Sequence, residues 1–572
     1  MSSSSSSLPL NFVNSSSSSK LPLRSIPGDC GSPFFGPIKD RFDYFYNEGR
    51  DQFFRTRMQK YQSTVFRANM PPGPFMAFNP NVVVLLDAIS FPILFDTSRI
   101  EKRNVLDGTY MPSTAFTGGY RVCAYLDPSE PNHALLKRFF TSSLAARHHN
   151  FIPVFRSCLT ELFTTLEDDV SRKGKADFNG ISDNMSFNFV FKLFCDKHPS
   201  ETKLGSNGPN LVTKWLFLQL APLITLGLSM LPNVVEDLLL HTFPLPSLFV
   251  KSDYKKLYHA FYASASSLLD EAESMGIKRD EACHNLVFLA GFNAYGGMKT
   301  LFPALIKWVG LAGGKLHRQL ADEIRSIVKA EGGVTFAALD KMALTKSVVY
   351  EALRIEPPVP FQYGKAKEDM VIHSHDAAFE IKKGEMIFGY QPFATKDPKV
   401  FDNPEEFVAH RFMGDGEKLL EYVYWSNGRE SDDPTVENKQ CPGKDLVVLL
   451  SRVMLVEFFL HYDTFDIECG TLLLGSSVTF KSLTKQPTFD HNFFQLPAKL
   501  GLRMEFPNPK TKRIPKSENS LGFGFINYKK NNHNKDEKQR RKKKEMREER
   551  GDAERAAVSP SGGEHQGRTC QF

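Results

Sequence analysis

Apolar residues recur at helical spacing over most of the chain, so the pattern predicts a mainly α fold with a few small β-sheets. From Asp445 to Phe459, Leu446, Val447, Leu449, Leu450, Val453, Leu455 and Phe458 keep helical period, with Gly443 at the entrance. Residues 281–309 read as one long apolar helix that contains Gly291-Phe292-Asn293-Ala294-Tyr295-Gly296-Gly297. Two adjacent glycines inside a helix cost about 1 kcal/mol each relative to alanine. Something is therefore expected to approach that backbone closely, either a flat bound group or a second helix. Between Asp369 and Tyr390 the runs become short and alternating around Lys383-Gly384, which predicts a small β-hairpin.

The longest uncharged window, Trp215 to Val235, has the length of a bilayer span. Gln219, Pro222, Gly227, Pro232 and Asn233 break it and no basic asymmetry flanks it, so a spanning helix is rejected. A membrane-resting surface, a channel lip or a core helix pair remain as readings. Residues 1–22 are Ser-rich, free of acidic residues and without an apolar signal core, and read as disordered. Residues 23–508 read as one folded domain beginning around Ile26-Pro27-Gly28, and 509–572 as a basic, disordered tail.

Charge narrows the function classes. Lys529 to Arg550 contains 11 Lys/Arg against 5 Asp/Glu, a surplus equal to the whole net charge of +6. The folded part is thus near neutral and offers no electrostatic case for nucleic acid. The eight cysteines form no CxxC pair or other zinc-like spacing, so reduced thiols are expected.

One of them is placed for chemistry. Trp425-Ser426-Asn427-Gly428 and Asn438-Lys439-Gln440-Cys441-Pro442-Gly443 frame Cys441 just ahead of the helix beginning near Asp445. Free N–H groups at a helix N-terminus favour a thiolate. A lone Cys-Pro-Gly is more often a buried structural cysteine. Upstream, Glu351 and Arg354 stand three apart among apolar residues before Pro357-Pro358, which implies a partly buried pair in need of further partners. Arg411, preceded by Phe407 and followed by Phe412, is the candidate third member.

Together these segments resemble the haem-thiolate loop and supporting ion pair of the cytochrome P-450 family. From about Pro22 to Phe506 the chain resembles the plant fatty-acid-hydroperoxide branch, which comprises allene oxide synthases, hydroperoxide lyases and divinyl ether synthases. The matching stretches are 108–113, 117–120, 126–131, 292–297 and the Cys loop with its insertion between Gly428 and Asn438. The resemblance implies haem b with Cys441 as axial iron ligand, Lys102, His133, Lys137 and Lys439 on the haem propionates, and Glu351, Arg354 and Arg411 as structural support. His133 and Lys137 are four apart on one helix face, and Lys439 is two residues from the ligand. Without the resemblance each would be an ordinary surface base.

Oxygen-activating members carry an acid followed by Thr in the long helix; here only Asn293 is a suitable polar side chain. Such a site is poorly equipped to split O2, yet suits an O–O bond that arrives already made. The expected substrate is a polyunsaturated fatty acid hydroperoxide, oriented by Asn293, with no reductase and no nucleic acid as partner. Leu106 stands where allene oxide synthases carry Phe, and Ala124 where they often carry Ser. An aromatic face would stabilise an electron-poor carbon. The expected activity is consequently hydroperoxide lyase, giving hemiacetals that break into short aldehydes and oxo acids. The alternatives are allene oxide synthase and divinyl ether synthase, with a reductase-dependent monooxygenase behind them. The short, weakly basic N-terminal segment points to the cytosol or the surface of membranes or lipid bodies, rather than to a plastid.

Overall fold

A computed structural model describes residues 21–486 except 74, 78, 106–109, 228–229 and 474. Leu106 and the tail after 486 lie outside the described residues. The chain is mainly helical with three small sheets. Near the start of the described residues, Leu23 and Arg24 pair in parallel with Ala378 and Phe379.

Helix Lys444–His461 matches the predicted run, and residues from Val448 to Leu460 are almost all buried. A helix apolar on all sides belongs inside a core. It packs with the helices Phe151–Lys173, Phe178–Cys195, Ala343–Ile355 and Gly296–Glu331 in one large apolar cluster.

The predicted 281–309 helix exists but is neither simple nor confined to that range. It begins as Arg279–Val287, continues as a π-helical segment Phe288–Tyr295 and resumes as Gly296–Glu331, with a break at Gly313 (φ 71°). Asp280 and Glu281 in its first turn suit the positive end of the helix dipole.

The expected hairpin at 369–390 is corrected in its turn. Met370–His373 pairs antiparallel with Ala378–Ile381 across residues 374–377, while Met386–Tyr390 belongs to another sheet. Lys383-Gly384 is the hinge between the two sheets, and Gly384 takes φ 89° there. The second sheet runs Val65–Asn69, Asn81–Leu85, Met386–Tyr390, Phe361–Ala366, Ile100–Glu101.

The uncharged window divides. Its first half completes helix Gly208–Leu220, where Trp215 and Gln219 are fully buried, which is the core-helix reading. Beyond Ile224 the chain comes to the surface, and Met230 is 96% exposed. Among the described residues no helix is long and apolar enough to cross a membrane.

Candidate active site

Cys441 sits on a loop pinned from both sides. Its N–H donates to the Ser426 carbonyl at 2.8 Å, and its own carbonyl accepts from Lys444 N–H at 3.1 Å, where the helix starts. Gln440, 2% exposed, donates from Nε2 to Arg429 O (2.7 Å) and Ser426 Oγ (3.2 Å). Gly428 is required here, since a Cβ would come within 2.7 Å of the Gln440 side chain. Across the insertion, Lys444 Nζ donates to the carbonyls of Glu430 and Asp432 at 2.8 Å each. Trp425 Nε1 donates to Glu430 at 2.6 Å. The insertion is thereby a braced part of the ligand loop.

Cys441 is half-buried and lies deep among neighbouring atoms. Burial pushes its thiol above the ordinary range, while the Gly443 N–H and the Lys137 ammonium pull it down. The helix N-terminus alone therefore does not produce the thiolate. Coordination to a haem iron would do so, because a ligating thiol is deprotonated.

The four bases expected around the cofactor are not surface residues. Lys102, His133 and Lys137 are 3%, 1% and 2% exposed. Lys102 Nζ donates to Gln362 Oε1 (2.9 Å) and Asn427 Oδ1 (2.8 Å), and Lys137 Nζ to the carbonyl (2.6 Å) and side chain (2.8 Å) of Asn438. Burial, then Lys439, depresses Lys102 to about 7; burial likewise brings Lys137 and Lys439 to about 8. His133, buried and next to two ammoniums, falls to about 4. Among the described residues its Nδ1 is buried with no hydrogen-bond partner. Such a group of crowded, desolvated bases favours an anion. Lys439 is engaged otherwise: its Nζ donates to the carbonyls of Cys123 (3.2 Å), Ala124 (2.8 Å) and Leu126 (2.8 Å). It ties the Cys loop to the turn that carries Ala124, itself half-buried on the main core.

Asn293 lies in the π-helical segment and its side chain is exposed, with no hydrogen bond among the described residues. One extra residue in a turn rotates the downstream residues by about 100°, so the π register helps decide where Asn293 points. That register is held by helix Gly208–Leu220. A Cβ on Gly291 would meet Val212 at 3.3 Å and Trp215 at 3.4 Å, and one on Gly296 would meet Leu216 at 3.5 Å. Tyr295, fully buried, bonds Thr213 at 3.0 Å. Gly291 and Gly296 thus answer to helix packing. A Cβ at Gly297 would meet nothing within 4 Å, which leaves that backbone bare for a flat group.

Glu351, Arg354 and Arg411 come together as expected. Glu351 and Arg354 have no exposed surface. The carboxylate accepts both nitrogens of Arg354 at 2.8 Å, Arg411 Nε at 3.0 Å and Val408 N–H at 2.9 Å. Arg354 also reaches the carbonyls of Thr395, Pro404 and Glu406. Phe407 stacks on Trp308 at 5.6 Å. Sequence reasoning missed Asn427, Asn438, Gln440 and Gln362. Asn427-Gly428 was the readable signal, a turn dipeptide whose Asn takes φ 62°. The others are recognisable only from the side chains they meet.

The residues present fit a haem: a deep sulfur, buried bases able to receive carboxylates, a bare glycine on the long helix. Comparison with known proteins agrees. Residues 315–463 match the family described as Cytochrome P450. The chain is 61% identical to allene oxide synthase 3 of Solanum lycopersicum over 82% of this chain and 96% of that one. It is 58% identical to the chloroplastic allene oxide synthase 1 of that species, over 82% and 87% of the two chains. It is 54% identical to its divinyl ether synthase CYP74D1, over 82% and 98%. These relatives are synthases, which corrects the expected leaning towards hydroperoxide lyases: a few pocket positions had been weighed without the likeness of the whole chain. The chain belongs to the plant CYP74 branch of the cytochrome P450 family, and is a haem-thiolate enzyme acting on fatty acid hydroperoxides.

Proposed function

We propose that the protein is an allene oxide synthase, removing water from a fatty acid hydroperoxide to leave an unstable epoxide. The observation that carries this is its 55–61% identity to allene oxide synthases over nearly their whole length, joined to a long helix with an exposed amide and no carboxylate between Glu281 and Asp322. Cys441 holds the iron; Lys102, His133 and Lys137 hold the propionates; Lys439 fixes the Ala124 turn. Haem, when bound, supplies the iron that breaks the O–O bond. Asn293, a neutral amide, hydrogen-bonds the hydroperoxide without trapping it as an anion. Phe292, next to Asn293 in the chain, stacks on Phe288 at 4.6 Å and meets Trp215 edge-to-face at 6.2 Å, so it supports the helix that carries Asn293.

Hydroperoxide lyase is the second reading, favoured by Leu106 and Ala124. The decisive experiment is mass spectrometry of the products formed from the 9- and 13-hydroperoxides of linoleic and linolenic acid. Ketols, from hydrolysis of an allene oxide, support the synthase; short aldehydes with oxo acids and no ketols would overturn it. No reductase is required in this reading, so NADPH leaves the rate unchanged.

The exposed side chains Phe75, Met230, Val234, Leu238, Leu239 and Phe243 support peripheral contact with lipid. Phe75 and Phe243 stack at 4.9 Å, so the patch is continuous where the two segments meet.

A further inference from the structure

The π-helical segment ends at a weak point. Gly296 N–H reaches back to the Gly291 carbonyl, five residues earlier, so both ends of this π bond are glycines. Gly296 and Gly297 then open the α-helical continuation, where glycine is a poor helix former. A glycine pair has no side chains with which to fix its own register. π turns are uncommon, so this one needs support from outside the helix.

That support brackets the pair. Tyr295 and Lys299, four apart and so on one helix face, stand on either side of Gly296-Gly297. Both reach Asp183 on helix Phe178–Cys195: the Lys299 ammonium pairs with its carboxylate, and the Tyr295 hydroxyl is in hydrogen-bonding reach of it. A carboxylate only accepts, so the Tyr295 proton points to Asp183 and Thr213 donates to the Tyr295 oxygen at 3.0 Å. One helical turn beyond Asp183, Phe187 meets the Tyr295 ring edge-on at 6.1 Å and fills the space that a Cβ on Gly208 would take. Helices Phe178–Cys195 and Gly208–Leu220 thus grip the same residue from two directions.

The Asp183 side chain is 15% exposed, and burial raises its carboxyl against the pull of Lys299. The long helix has no carboxylate of its own between Glu281 and Asp322, so this charge is supplied by a neighbour. Asn293 lies two residues before Tyr295, inside the segment that the grip terminates. Where the amide points therefore follows the backbone register that Tyr295 and Lys299 fix.

We propose that Asp183 is a positioning residue for the peroxide reaction: through Tyr295 and Lys299 it holds the π register across Gly296-Gly297 and so aims the Asn293 amide at the substrate oxygen. The proposal rests on the role given to Asn293 above.

A double-mutant cycle on the full-length holoenzyme tests it. One readout is KM and kcat for the hydroperoxide. The other is a Soret titration with the corresponding alcohol, which offers a hydroxyl to Asn293 and does not turn over. Asp183→Asn keeps the shape and removes the charge. It is expected to weaken alcohol binding and raise KM about three- to tenfold, the size of one misdirected neutral hydrogen bond, with haem content and the ferric Soret maximum unchanged. Lys299→Met is expected to act in the same direction, and replaces Asp183→Asn should that variant fail to fold. In an Asn293→Ala background either substitution is expected to add less than about twofold, because no amide is left to aim. Full additivity on an effective Asn293→Ala would overturn the proposal and leave the role of Asn293 standing. So would wild-type KM and alcohol affinity in both variants, or loss of haem from both, which would mark the pair as a brace of the fold. Asn293→Ala indistinguishable from wild type would remove the proposal and the role of Asn293 together.

Discussion

Replacing Glu351 by alanine removes one carboxylate on which two guanidiniums and a backbone N–H converge. Arg354 has no accessible surface and Arg411 only 6% on its side chain, so neither charge can turn to water. Arg354 keeps its three carbonyl acceptors, which prevents complete orphaning, yet its charge is left unneutralised. Breaking such a buried pair on one side costs about 3–5 kcal/mol. Unfolding entropy of about 2 cal/mol/K per residue gives a folded part of this size on the order of 1 kcal/mol/K. The expected fall in Tm is therefore about 3–5 °C. The damage should reach the cofactor, because Arg354 and Arg411 bind the carbonyls of residues 402–406, just ahead of the segment that leads into the Cys loop. Thermal melting followed by circular dichroism, with haem content from the Soret absorbance, measures both. Glu351→Gln, which keeps shape and one acceptor oxygen, should fall between wild type and Glu351→Ala. Melting within 1 °C of wild type at full haem content would refute the reading of this triad as a structural brace.

Other expectations concern the site itself. Cys441→Ser should yield protein with little bound haem and no hydroperoxide consumption, since serine offers no soft anionic ligand; retained turnover would remove the iron ligand from the account. His133 has a folded value of about 4 against 6.5 when free. Between these values the unfolded chain binds more protons, so the haem-free protein should lose stability as pH falls from about 6.5 towards 4, and His133→Gln should flatten that loss. Urea midpoints against pH test it, and identical profiles would contradict it. Leu106→Phe should raise the proportion of ketols at the expense of any aldehydes; an unchanged product ratio would show that residue 106 does not steer the radical. Tyr295→Phe, which loses the bond to Thr213 but keeps the ring, should raise KM for the hydroperoxide severalfold with near-normal haem content, and no change would separate the π register from the aim of Asn293.

Local pattern determined a good deal of this protein. The helix at Lys444–His461 and the Glu351–Arg354 pairing were legible because period and i,i+3 spacing are properties of a single helix. Cys441 stood out by its place ahead of an apolar helix, whereas the roles expected of Lys102, His133, Lys137 and Asn293 came only from the likeness of short motifs to a family, since nothing in their own spacing distinguishes them from surface residues. Tertiary structure decided the rest. It alone brings Lys439 onto three carbonyls from residues 123–126, makes Lys383-Gly384 a hinge between sheets, and inserts a π turn at Phe288–Tyr295 where Gly291 meets Trp215. Each outcome depends on which distant group fills the neighbouring space, and a periodic pattern carries the face of an element but not the identity of its packing partner.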